Sequence, residues 1–308
     1  MKDIIIVAGP TAVGKTEYSI EIAKAVDGEI VSADSMQLYR FMNIGSAKPT
    51  PDELSQVPHH LVDEIDPRGR FSVAEYQKRA KDCIREILSR GKTPVISGGT
   101  GLYINSLIYK MDFAGEGIDL KLRKELEEKA EQFGGEYLHE MLRDLDPEAA
   151  DRIHPNNIKK MIRAIESVKL SGEKVKSFDN SKVPVDEYTY SIIGLTRDRQ
   201  ELYERINMRV DMMVEQGLVD EVRGLMSMGL TESDISMKGI GYKEIIACLN
   251  GEITLDEAIY LIKKTTRHYA KKQLTWLRSY EDLRWFELST YESKDEALGE
   301  MLTWLKNS

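Results

Sequence analysis

Gly9-Pro10-Thr11-Ala12-Val13-Gly14-Lys15-Thr16 is the stretch that most narrows what this chain can become. Its spacing, G-x-x-x-x-G-K-T, lies between an apolar run from Ile4 to Ala8 and a helical pattern carrying Tyr18, Ile20, Ile22, Ala23 and Val26. Strand, glycine loop and helix in that order make a phosphate-binding unit. Gly9 and Gly14 let the backbone turn so that successive N–H groups, through Thr11, Ala12 and Val13, face one concavity. The helix start adds its positive dipole end. Lys15 supplies a mobile charge, and Thr16 a hydroxyl for a phosphate-bound Mg²⁺. The fold class this implies is α/β, a P-loop NTPase-like parallel sheet flanked by helices.

Ile30, Val31 and Ala33 read as a second short buried strand, with Asp34 and Ser35 just past its carboxyl end. Ligands of open α/β sheets lie outside that end. Asp34 is therefore placed to touch a reacting group, and a turn or helix-cap carboxylate would read the same way. Residues 43–51 form a Gly- and Pro-bearing loop, and His59 and His60, being adjacent, diverge on any regular backbone, which favours packing over metal binding. A helix beginning at Phe71 runs through Ala80, Ile84 and Ile87 to a stop at Gly91. Thr93 to Ser97 reads as the third strand and delivers a second glycine turn, Gly98-Gly99-Thr100-Gly101, into a helix. That strand lacks the terminal Asp that helps hold Mg²⁺ in nucleotide hydrolases, which counts against an ATPase or GTPase.

From Asp119 to about Pro184 the pattern is helical, broken at Asp146-Pro147 and His154-Pro155. Its last helix carries Ile158, Met161, Ile162 and Ile165 on one side and Lys159, Lys160 and Arg163 on the other, and ends at Gly172. A polar loop through Asn180-Ser181-Lys182 follows, and Tyr190 to Leu195 returns to the sheet. The expected division is a core of residues 1–118 and 186–308 with a helical insertion domain at 119–185. Arg205 and Arg209 share a helix face and suit closing over a polyphosphate, with a solvated face as the other reading. Lys238-Gly239-Ile240-Gly241-Tyr242-Lys243 is a basic loop with an aromatic. On the helix from Ala258 to Arg278, Lys264, Arg267, Lys271 and Arg278 form one stripe and Tyr269 and Trp276 another. Interleaved cations and rings suit a nucleic-acid strand, while Trp276 reads equally well as core.

A net charge of −9 argues against non-specific nucleic-acid binding by the whole chain and leaves room for a local basic groove. No apolar run approaches the roughly 20 residues that cross a bilayer, so no membrane role is expected. Cys83 and Cys248, far apart and without ligand spacing, read as free thiols of a reducing cytosol.

Taken together, these motifs resemble the tRNA dimethylallyltransferases (tRNA isopentenyltransferases) along nearly the whole chain. The matching pieces, in order, are Gly9 to Thr16, Ser32 to Tyr39, Ala47 to Thr50 and Pro58 to Leu61. Gly98 to Tyr103, Arg163 to Glu166, Ile240 to Glu244 and Thr266 to Trp276 complete the set. The resemblance implies transfer of a dimethylallyl group from dimethylallyl diphosphate to the exocyclic amine (N6) of an adenine, the one immediately 3′ of the anticodon in tRNAs reading codons that begin with U. Gly9 and Thr11 to Thr16 would hold the diphosphate, with Thr16 toward Mg²⁺, and Lys15 with Arg205 and Arg209 would stabilise the leaving charge. Asp34 would take the amine proton, with Thr100 across the reaction channel. The tRNA-contacting segments would be Asp34-Ser35-Met36-Gln37, Lys159-Lys160-Met161-Ile162-Arg163 and Lys238 to Lys243, with Thr100 and Arg123 as single contacts. The family likeness is to bacterial, cytoplasmic, monomeric members, since the chain ends soon after Trp276 without the zinc-finger extension of eukaryotic ones. Val13 stands where many members have Ser, and Lys159-Lys160 replaces more Arg-rich versions, keeping charge without bidentate contacts.

Two rivals share parts of this pattern. A small-molecule P-loop kinase using ATP accounts for the N-terminal motifs but not for the insertion or the basic segments. A nucleotide-dependent RNA-binding switch accounts for the basic segments and leaves Asp34 without a role.

Overall fold

In a computed structural model of the chain, residues 3–111, 119–172, 174–175 and 183–308 are described. The loop at Asn180 to Lys182 and residue 118, where the expected core segment ends, lie outside them. Six strands form one sheet: β1 (Ile4–Ala8), β2 (Gly28–Ala33), β3 (His59–His60), β4 (Thr93–Gly98), β5 (Tyr190–Thr196) and β6 (Leu283–Glu287). Their spatial order is β3-β2-β4-β1-β5-β6, and every pairing is parallel. All five residues of β1 are buried, because helices cover both faces of a parallel sheet and leave no polar side.

The helices are α1 (Lys15–Ala25), α2 (Pro51–Gln56), α3 (Val73–Ser89), α4 (Gly101–Ile108), α5 (Leu120–Leu145), α6 (Pro147–Arg152), α7 (Ile158–Ser171), α8 (Arg199–Glu215), α9 (Leu218–Ser227), α10 (Tyr242–Leu249), α11 (Leu255–Leu277) and α12 (Lys294–Asn307). The chain divides into two compact units, Met1–Ile108 with Asp186–Ser308, and Tyr109–Val185.

Within the first unit, Ile5, Val7, Ile22, Val95 and Ile193 pack with Leu202 and Ile206 of α8 and Met301 of α12. Tyr76 of α3 stacks on Tyr103 of α4 at 3.8 Å between centroids, and its hydroxyl donates to the Ser32 carbonyl. β3, β6, α2, α9, α10 and α12 are not among the elements expected from the sequence. β3 is two residues long, too short to show a period, and β6 buries Leu283 and Phe286, three apart, which is not the period of a strand. α2 was legible in principle, since Thr50-Pro51-Asp52-Glu53 forms a capping box in which Thr50 and Glu53 exchange hydrogen bonds.

In the second unit, Leu126, Leu138, Leu142, Met161, Ile162 and Ile165 make a separate core. Gly134, at φ 82°, breaks α5 into two helical pieces. Asp146 is the buried N-cap of α6, and Gly172 (φ 71°) ends α7 in the left-handed conformation.

Candidate active site

Strand register assembles the site. Ala8 pairs with Gly98, and Gly98 with Ala33, so the three strands end abreast. Gly9, Asp34 and Gly99 therefore emerge side by side, with the second glycine turn between the phosphate loop and Asp34. Adjacent strands lie about 4.8 Å apart, which sets the phosphate loop and Asp34 about 10 Å apart.

The phosphate loop is shaped by donors that pull its carbonyls outward. Lys15 Nζ donates to Pro10 O (2.8 Å), Arg205 Nε to Ala12 O (2.9 Å) and Arg197 Nε to Val13 O (2.9 Å). Ala12 (φ 65°) and Gly14 (φ 113°) adopt left-handed conformations, the second as an N-cap without a side-chain cap. The first-turn amides of α1 are thus left for an anion, as helix starts require some acceptor. Thr11 differs from expectation: its N–H donates to Gln273 Oε1 at 2.9 Å, so that amide faces protein.

Burial pushes the Lys15 ammonium down to about 8; Asp34 opposes this shift and Arg209 adds to it. Part of the Lys15 side chain stays open to solvent, but the ammonium is enclosed by the loop. Arg205 and Arg209, a pair on α8, separate here. Arg205 spends its Nε on the loop carbonyl, whereas Arg209 has no hydrogen-bond partner among the described residues. Burial, then Arg205, lowers the Arg209 pKa, and Glu53 and Asp34 offset this in part. Arg209 is therefore an uncommitted cation beside Lys15.

Asp34 Oδ1 accepts from Met36 N (2.8 Å) and Gln37 N (3.4 Å), an Asx turn that leaves Oδ2 available. The turn role open in the sequence is the one these hydrogen bonds fill. Thr100 N donates to Ala33 O and Thr100 Oγ1 accepts from Ser35 N, fastening the second turn to the Asp34 segment. Tyr269 also reaches this point. Burial first, then Asp34, raises its phenol to about 12, against a hydrogen bond from Thr100.

The segment after Asp34 is tied to the basic loop. Glu221 of α9 accepts from the amides of Asn43, Ile44 and Gly45 (2.7–3.0 Å) and from Tyr242 Oη (2.8 Å). Gly239 lies against Met36, where a Cβ would come within 2.5 Å of the methionine methyl. Tyr242 is fully buried and Ile240 half-buried, so Lys238 and Lys243 are the exposed side chains of this loop, with Gly239 and Gly241 shaping it. Arg267 turns inward to Asn207 Oδ1 (2.6 Å) rather than lining a solvated stripe.

In the second unit, Lys159, Lys160 and Arg163 are exposed along α7, whereas Met161 and Ile162 point into that unit's core and offer no surface. Arg123 pairs with the buried Glu166, which also accepts from Asp119 N, so its charge is engaged within the unit.

A family model described as IPP transferase matches residues 37–280. The chain is 53% identical to a tRNA dimethylallyltransferase of Alkaliphilus oremlandii, over 95% of this chain and 93% of that protein. The chain belongs to the tRNA dimethylallyltransferase family. A second relative so named, from Clostridioides difficile, is 51% identical over 99% of this chain and 98% of its own length. Among solved structures, a full-length tRNA isopentenylpyrophosphate transferase of Bacillus halodurans aligns with TM-score 0.75 and 42% identity over 100% of this chain and 96% of that one. A eukaryotic dimethylallyltransferase acting on tRNA aligns with TM-score 0.86 and 26% identity over 100% of this chain and 79% of that one. These likenesses carry the enzyme class and the parallel α/β fold.

For a tRNA dimethylallyltransferase family member, the residues missed from the sequence are Gln273 and Glu221, while Tyr269, read there only as part of an aromatic stripe, turns toward Asp34 and Thr100. All act through contacts made by distant segments. The one available signal was Gln273 inside an otherwise basic and aromatic helix stretch, an uncharged polar residue that is 6% exposed.

Proposed function

We propose that this chain transfers a dimethylallyl group from dimethylallyl diphosphate to the N6 amine of the adenine immediately 3′ of the anticodon, in tRNAs reading codons that begin with U. The observation that carries the reading is the side-by-side exit of the phosphate loop, the Thr100 turn and Asp34. A gap of about 10 Å fits a phosphate, the reacting carbon and an amine in line. The diphosphate lies against the first-turn amides of α1, with Lys15 and Arg209 meeting its charge. The amine nitrogen bonds to C1 of the dimethylallyl group while the C1–O bond breaks and its electron pair leaves with diphosphate. Charge grows on the leaving oxygen, so fixed donors there lower the barrier. Asp34 Oδ2 takes the amine proton, while Oδ1 is held by the Asx turn. The target base reaches Asp34 by leaving the loop stack, which costs little in single-stranded RNA.

The donor set fits Mg²⁺. Among the described residues, Thr16 Oγ1 has no hydrogen-bond partner and no cluster of three or more His, Cys, Asp or Glu suited to a metal occurs. A cation held by one hydroxyl, diphosphate oxygens and water suits Mg²⁺, which keeps several waters. When bound, it neutralises charge on the departing diphosphate.

Lys238 and Lys243 in the first unit, and separately Lys159, Lys160 and Arg163 in the second, are exposed cations of the kind that meets the phosphates of a tRNA. Ser35 to Gln37, Thr100 and Arg123 complete that proposed contact set. No helix among the described residues is long and apolar enough to cross a membrane; tRNA as substrate supports a cytoplasmic enzyme, and the family likeness is to monomeric members. The test is incubation with Mg²⁺, labelled dimethylallyl diphosphate and unmodified tRNA, beside labelled ATP without tRNA. Label in that adenine with ATP intact is the expected result. ATP consumed with tRNA unlabelled would overturn the reading in favour of a kinase.

A further inference from the structure

We infer that Gln273 is a positioning residue that sets the spacing between the diphosphate loop and the Thr100 turn. This rests on the diphosphate reading above. Gln273 sits on α11, is 6% exposed, and uses both ends of one carboxamide. Its Oε1 accepts from Thr11 N at 2.9 Å, in the phosphate loop. Its Nε2 donates to Gly99 O at 3.0 Å, in the second turn. The two turns leave different strands, and a single planar group spans them.

The surrounding residues are fitted to this bridge. A Cβ on Gly99 would come within 2.2 Å of Gln273 Nε2, so glycine at that position makes room for the carboxamide. One helical turn later, Trp276 covers Gly101, where a Cβ would meet the indole at 2.3 Å. Tyr280 Oη donates to Asn105 Oδ1 (2.5 Å) on the following helix. The end of α11 thus holds the second turn at two points, Gly99 and Gly101, with Tyr280 just beyond it holding α4, and among the described residues of that helix end only Gln273 also holds the phosphate loop. The carboxamide is the smallest neutral group with a donor and an acceptor at opposite ends. A carboxylate could accept from Thr11 but would face the Gly99 carbonyl with no proton to give. A buried unpaired donor or acceptor costs more than the bond itself is worth, so the bridge works as a unit.

The consequence is kinetic. Bound diphosphate is fixed by the first loop, and the acceptor amine by Asp34, which Thr100 fastens to the second turn. Changing the spacing of the loops misplaces one reacting atom relative to the other, and small misplacements cost large factors in rate.

The experiment compares Gln273→Met, which keeps volume and loses both bonds, with Gln273→Glu, which keeps the Thr11 bond. Leu277→Ala, a buried apolar change on the same helix, is the control. Each is assayed for thermal midpoint, inorganic pyrophosphate affinity with Mg²⁺, and single-turnover rate. Gln273→Met is expected to lower the rate roughly 10²-fold and weaken pyrophosphate binding about tenfold, with Gln273→Glu at least as damaging, because its buried carboxylate faces the Gly99 carbonyl beside the anion site. Leu277→Ala is expected to lower the thermal midpoint and leave both other quantities unchanged. The Thr11 amide of the free wild-type protein should also exchange slowly with deuterium, a measurement independent of how the variants fold. Wild-type rate and affinity in Gln273→Met, matching losses in Leu277→Ala, or a fast-exchanging Thr11 amide would overturn the inference alone. A wild-type chain that binds no pyrophosphate would remove the diphosphate reading and the bridge's purpose together.

Discussion

The two glycine turns of the first unit look alike as strings, each leaving a parallel strand and opening a helix, yet Gly14 answers a different demand from the glycines of the second turn, whereas Gly9, whose Cβ would meet Leu195 O at 2.9 Å, resembles the latter. In the phosphate loop, Gly14 stands at φ 113° and no protein atom comes closer than 3.7 Å to its hypothetical Cβ. Glycine is there for backbone conformation, which turns amides toward an anion. In the second turn, Gly98, Gly99 and Gly101 have no positive φ, and their Cβ atoms would strike Ala33 O, Gln273 and Trp276 at 2.2–2.3 Å. Glycine is there for close approach by neighbours. One turn is left open at Gly14 and the other is packed against the protein, and the second spaces the first from Asp34.

The largest effect expected tests what that spacing serves. Asp34→Ala should lower single-turnover rate by roughly 10²–10⁴-fold while tRNA affinity is largely kept. Equal losses in filter binding and rate would reduce Asp34 to a docking group. Gly14→Ala comes next, because a side chain forced into that backbone costs roughly 1–3 kcal/mol. Pyrophosphate affinity should therefore fall about 10- to 100-fold by calorimetry.

Lys15 sharpens the ligand side through pH. Its pKa in the folded protein, about 8, lies below the ordinary 10.5, so the unfolded chain binds more protons between those values. Stability of the free protein should then rise across that window relative to Lys15→Met. Pyrophosphate binding has the opposite sign, since it needs the cation. Affinity should be highest below about pH 8 and fall up to tenfold per unit above it, a slope that Lys15→Arg should abolish. The smallest effect on the ligand is expected from Gly101→Ala. Overpacking against Trp276 should cost about 1–3 kcal/mol of stability in thermal unfolding, with pyrophosphate affinity unchanged. If Gly101→Ala loses affinity as Gly14→Ala does, the contrast between the turns fails.

The parts of the site readable in the sequence were those built from neighbours in the chain. Gly9 to Thr16 carries its loop, helix start and cations within eight residues, and the run before Asp34 shows a buried strand ending at a carboxylate. The α7 pattern separates Met161 and Ile162 from Lys159, Lys160 and Arg163 by periodicity, and the exposures follow that division. Naming all five as one contact segment ignored it. The engagement of Arg123 by Glu166, 43 residues away, and of Arg267 by Asn207, 60 away, has no local mark.

The sequence alone determined the local chemistry: which loop can hold phosphate, which strand ends in a carboxylate, and which helix faces are apolar. Only the tertiary structure decided how those pieces share one site. The order β2-β4-β1 put the Thr100 turn between the phosphate loop and Asp34. Long-range hydrogen bonds then divided the duties, sending Arg205 to a loop carbonyl and leaving Arg209 uncommitted. Periodicity and spacing encode contacts within a helix turn or a strand pair. A carboxamide that joins Thr11 to Gly99 across 262 and 174 residues of chain depends on strand order, which no local pattern contains.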